Sequence, residues 1–74
     1  MTLTHEDQGK VIQALAYAVH TNLDTAYPAN RAVVRMIVVE FAHSLNRKGL
    51  LKNEDVEPFV DNTMTHLYMC PVYQ

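Results

Sequence analysis

Residues 32–45 read Ala32-Val33-Val34-Arg35-Met36-Ile37-Val38-Val39-Glu40-Phe41-Ala42-His43-Ser44-Leu45. They carry two apolar stripes where an ordinary surface helix carries one. At about 100° per residue, Val33, Val34, Ile37, Val38, Phe41, Ala42 and Leu45 form a broad face. Ala32, Met36, Val39 and His43 form a second stripe on the other side, and only Arg35 and Glu40 interrupt the stretch with charge. A surface helix needs one apolar stripe against its core. Two stripes predict a helix covered on both sides, by its own chain or by another. A chain of 74 residues has little material for a second covering, so the pattern predicts a central, two-sided helix two and a dimer.

The flanking segments supply two more helices. Helix one is expected over about 4–22, opened by Thr4, whose hydroxyl can cap free amides, with Glu6 and Asp7 at the positive end of the helix dipole. Val11, Ile12, Leu15, Ala18 and Val19 recur at helical spacing and predict its core face. The opposite side, Gly9, Gln13, Ala16, Tyr17 and His20, carries no charge after Lys10 and reads as a second contact surface or a merely polar one. Pro28 biases Tyr27 away from helical geometry, and Asn30 is a suitable N-cap for a second helix over about 30–48. Arg47 and Lys48 suit the exposed carbonyls of its last turn, and Gly49 suits the left-handed position that closes it, with Leu50 or Leu51 folding back.

Helix three is expected over about 53–69. Val56, Phe59, Val60, Thr63, Met64 and Leu67 define its inner face. Pro58 predicts a kink or a start nearer Asp55, and Pro71 predicts the end. No alternating strand pattern of useful length occurs. Residues 1–74 therefore read as one all-α, compact three-helix domain with helix two in the middle.

Composition narrows the function classes. A single cysteine, Cys70, excludes an intramolecular disulfide and suits a reducing compartment. Residues 1–7 lack the basic start and apolar run of a secretion signal, and no stretch is apolar enough to span a membrane, so a cytoplasmic location is expected. The net charge of −2 is unevenly spread. Residues 31–52 carry Arg31, Arg35, Arg47, Lys48 and Lys52 against Glu40, whereas residues 53–74 carry Glu54, Asp55, Glu57 and Asp61 and no Lys or Arg.

Chemistry is thinly represented. His66 and Cys70 stand four apart, a spacing that places two ligands on one helical face, but no paired motif supplies the rest of a metal site. His20 and Asp24 are also four apart and could form an acid–base pair, with no recognisable nucleophile beside them. Two glycines, Gly9 and Gly49, are too few for a phosphate-cradling loop. As a DNA-recognition helix, helix three would repel phosphates, since its start is acidic.

The expectation is a small non-enzymatic regulator, with no cofactor and no metal, that docks to a partner protein through an apolar helical face. The residues expected at the partner or dimer interface are Gln13, Ala16, Tyr17, His20, Ala32, Met36, Val39 and His43. A phage or mobile-element inhibitor that occludes a host enzyme or defence complex fits the same features. A dimeric DNA-binding protein using the basic ends of helix two is a third possibility.

Overall fold

The structure, a computed structural model, describes residues 1–68 and is built of α1 (His5–Asn22), α2 (Asn30–Arg47) and α3 (Asn53–Tyr68). The described residues contain no strand. The all-α reading therefore holds, and α1, α2 and the start of α3 lie within a residue of expectation. The readings made for Cys70, Pro71 and the tail lie outside the described residues.

Each boundary has a local cause. Thr4 is extended and its hydroxyl accepts from the Asp7 amide at 3.1 Å, satisfying one of the free donors that open α1. Asn30 does not cap α2 as expected. It is the first helical residue, Ala29 is the cap without a side-chain bond, and the Asn30 amide instead donates to the Asp24 carbonyl at 2.9 Å. The tight turn Tyr27-Pro28-Ala29, closed by the Asn30 backbone N–H on the Tyr27 carbonyl at 2.9 Å, brings the Asn30 side chain and Asp24 together and sets Asn30 one residue inside the helix. α3 starts at Asn53 and runs through Pro58.

The end of α2 is the best determined joint. Leu50 N–H bonds the Leu45 carbonyl at 2.9 Å and Gly49 N–H bonds the Asn46 carbonyl at 3.0 Å. This is the paired closure that a left-handed glycine permits, and Gly49 has φ +76°. Leu51 then folds into the core. The Asn46 amide holds the turn by donating to the Leu51 carbonyl at 2.9 Å and to Asn53 Oδ1 at 2.7 Å. No atom lies within 4 Å of a Cβ placed on Gly49, so a larger residue meets only the backbone penalty. Gly49→Val is expected to lose about 1–2 kcal/mol and to melt about 5–10 °C lower. A fall of less than about 2 °C in a thermal scan would show that the turn tolerates an ordinary residue.

Ile12, Ala16 and Val19 of α1, Val34, Val38 and Ala42 of α2, and Phe59, Val60 and Leu67 of α3 make the core with Leu51. Thr63, also fully buried, turns its hydroxyl onto the Phe59 carbonyl at 2.7 Å and so leaves no unpaired polar atom there. The expectation that helix two holds the middle is corrected. α3 packs against both other helices, while α1 and α2 barely touch. The cause is the width of the α3 apolar face: from Phe59 to Met64 it covers roughly 140° of the helix, enough for two neighbours. The buried stripe of α2, Val34 to Ala42, is narrower and serves α3 alone.

Candidate functional site

Two helices standing side by side on a third, with little contact between them, leave a cleft. It is lined by Leu15, Ala18, Val19, Asn22 and Leu23 from α1 and its cap, and by Val33 and Ile37 from α2, and has a volume of about 390 Å³. Asn22 is its only polar lining residue, and its amide is committed to the Ala18 carbonyl of its own helix at 2.7 Å. The cleft therefore offers a partner almost nothing but hydrocarbon. Its α2 wall continues along the helix: Val33, Ile37 and Phe41 are exposed large apolar residues, a line that a monomer would ordinarily cover. Phe41 reaches under this wall to stack on Phe59, with ring centroids 6.3 Å apart and planes inclined by 13°.

The residues expected to form an interface are distributed differently. Ala16 is fully buried against the core and is withdrawn from any contact surface. The true inner stripe of α1 is Ile12–Ala16–Val19, whereas Val11 and Leu15, expected inside, are half-buried and Ala18 is exposed. Because α1 meets only α3 closely, it can bury one narrow stripe, and Leu15 and Ala18 are left lining the cleft. Gln13 and Tyr17 are exposed on the far flank, with Tyr17 roughly 160° round the helix from Leu15. His20 is half-buried, and its Nδ1 lies 3.0 Å from the Thr25 hydroxyl. The Asp24 carboxylate accepts from the Ala26 amide at 3.1 Å.

On α2, Ala32, Met36 and His43 are exposed and Val39 is half-buried against the core. Val39 and His43 line a second hollow of about 300 Å³ between α2 and α3, shared with Arg35, Glu57 and Asp61. That hollow is charged, and it lies on the flank of α2 away from the apolar cleft. Met36, 67% exposed, stands between the two. The expected residues thus fall into separate patches.

Leu15, Ala18, Val33, Ile37 and Phe41 line or border the cleft and were all assigned by sequence to core faces. A signal for them existed. The broad face of helix two, from Val33 to Ala42, covers roughly 180°, more than one neighbouring helix can bury.

Other chemistry is sparse. Among the described residues no three potential ligands gather into a metal site, and no described helix is long and apolar enough to cross a membrane. Lys10–Glu6, at 3.7 Å, is the one ion pair among the described residues, and both side chains are exposed. Arg31 lays its guanidinium 4.7 Å from the centre of the Tyr68 ring. Apart from Lys10 on α1, the basic residues split into Arg31 and Arg35 near the start of α2 and Arg47, Lys48 and Lys52 at and beyond its end, groups about 18 Å apart along the helix. Compared with family models, curated proteins and solved structures, the chain matches none.

Proposed function

We propose that this chain is a docking protein that regulates a partner by binding it, the α1–α2 cleft receiving an apolar helical face of another polypeptide. The observation that carries this reading is the cleft itself, hydrocarbon-lined and extended by the exposed line Val33–Ile37–Phe41. Its volume falls in the range of preformed binding pockets. An amphipathic helix laid in such a groove presents anchors at i, i+3, i+4 and i+7, the periodicity that an α1–α2 channel accepts. Burying an apolar side chain of Leu or Phe size contributes about 1.5–3 kcal/mol, so two or three anchors suffice for useful affinity.

The test compares immobilised wild type, Ile37→Glu and Tyr17→Glu as baits in extract of the source cell. The captured protein is identified and its yield measured. Ile37 borders the cleft, whereas Tyr17 is open to solvent on the far flank. Wild type and Tyr17→Glu are expected to retain the same protein, and Ile37→Glu to lose it at least about tenfold, the loss of one central anchor. Equal capture by all three baits would set the cleft aside as the docking site.

A further inference from the structure

We propose that the cleft is closed by a second copy of this chain, the two α2 helices crossing antiparallel about a two-fold axis between Ile37 and Phe41. The proposal rests on the docking reading and names its occupant. Asn30, Val33, Ile37, Phe41, Ser44 and Lys48 follow one another at steps of three or four residues and so form one line along α2. The Asn30 amide holds the Asp24 carbonyl at 2.9 Å, which fixes the exposed Asp24 at the N-terminal end of that line. Exposed Lys48 stands at the other end. The line is therefore acidic at one end, uncharged in the middle and basic at the other.

Such a pattern is complementary to itself in one direction only. Antiparallel copies set Asp24 of each beside Lys48 of the other, and align the helix dipoles favourably. Parallel copies would set like charges together. A two-fold axis between Ile37 and Phe41 places Ile37 opposite Phe41 of the second copy, twice, at the wall of the cleft that Ile37 helps to line. Glu40, displaced roughly 60° from the line, is kept by the two-fold on one flank of the seam in both copies, so the two exposed carboxylates face each other beside the axis and their repulsion opposes the dimer, less so at higher salt. The face of α1 that borders the cleft bears no charge from Val11 to Asn22, so self-association brings no like charges together there.

Sedimentation equilibrium of the full chain over a range of concentrations tests this, with helix content recorded for every variant. Wild type is expected to show a reversible monomer–dimer equilibrium. Ile37→Glu should be monomeric throughout with unchanged helicity. Lys48→Asp and Asp24→Lys should each weaken self-association about tenfold, and the double variant should regain most of it. That recovery cannot arise from fold damage, because a second damaging substitution would not repair the first. A wild type that stays monomeric to about 0.5 mM, weaker than any useful dimer, would overturn the second copy as occupant. The docking reading would still stand if Ile37 governed capture of a different protein. A dimer indifferent to Ile37→Glu would overturn the face, and charge reversals without mutual rescue would overturn the antiparallel register.

Discussion

Phe59→Ala is expected to lower the unfolding free energy by about 3–5 kcal/mol. Phe59 is 1% exposed, the largest side chain buried so completely, and its ring supports Phe41 from below. It sits on the one helix that contacts both others, so the space it leaves lies where neither neighbour can shift without losing its own packing. A chain of 74 residues has a total stability of roughly 4–11 kcal/mol, which makes this a large share of the whole. Urea unfolding followed by circular dichroism should show the midpoint falling by about 2 M or more. A shift below about 0.5 M would mean that Phe59 is not at the centre of the core. Phe41→Ala should be milder, because Phe41 already keeps 37% of its surface in water.

The second large effect comes from a pair of neighbours. Val38 is fully buried while Ile37, one residue earlier, is 40% exposed. Val38→Asp would place a carboxylate among Val34, Ala42 and the α3 core residues, with no cation in that cluster to pair with it. An uncompensated buried charge costs about 3–5 kcal/mol, on top of the lost apolar contact, and the variant is expected to be largely unfolded at neutral pH. Lowering the pH below the carboxylate's raised pKa should restore part of its helicity, since the neutral acid is far less costly to bury. Ile37→Asp should fold normally at every pH that wild type tolerates. Matching far-ultraviolet spectra for the two variants would contradict the assignment of Val38 to the core and Ile37 to the open wall.

Much of the fold is local, and local features are legible in a sequence. Thr4 with acidic residues behind it marks the start of α1. Gly49 after Arg47 and Lys48 marks the end of α2, and the apolar spacing from Val56 to Leu67 marks the inner face of α3. Each of these depends on hydrogen bonds and side-chain preferences within one turn of helix, so a window of a few residues contains its cause. Asn30 shows the limit of that logic. Its capping preference is real, but the turn before it makes Asn30 the first helical residue rather than the cap, and its side-chain NH2 donates back to the Asp24 carbonyl.

Which stripe of each helix is buried is a different kind of question. Helical periodicity states that Val33, Val34, Ile37, Val38, Phe41 and Ala42 share a face, but the number and direction of neighbours decide which of them are covered. Sequence placed Ala16 outside and Leu15 and Ala18 inside, and it placed helix two in the middle. The tertiary structure buries Ala16, exposes Ala18, leaves Leu15 only half-buried against the core and puts α3 in the middle, because α3 has the wider apolar arc and gathers α1 and α2 onto itself. Small residues at Ala16 and Ala42 are buried against that arc, while larger ones at Leu15, Val33 and Ile37 are left bordering the space between. The sequence alone therefore determined three helices, their ends and an excess of apolar surface. Only the packing of those helices decided where the excess lies, because burial belongs to pairs of elements and periodicity belongs to one.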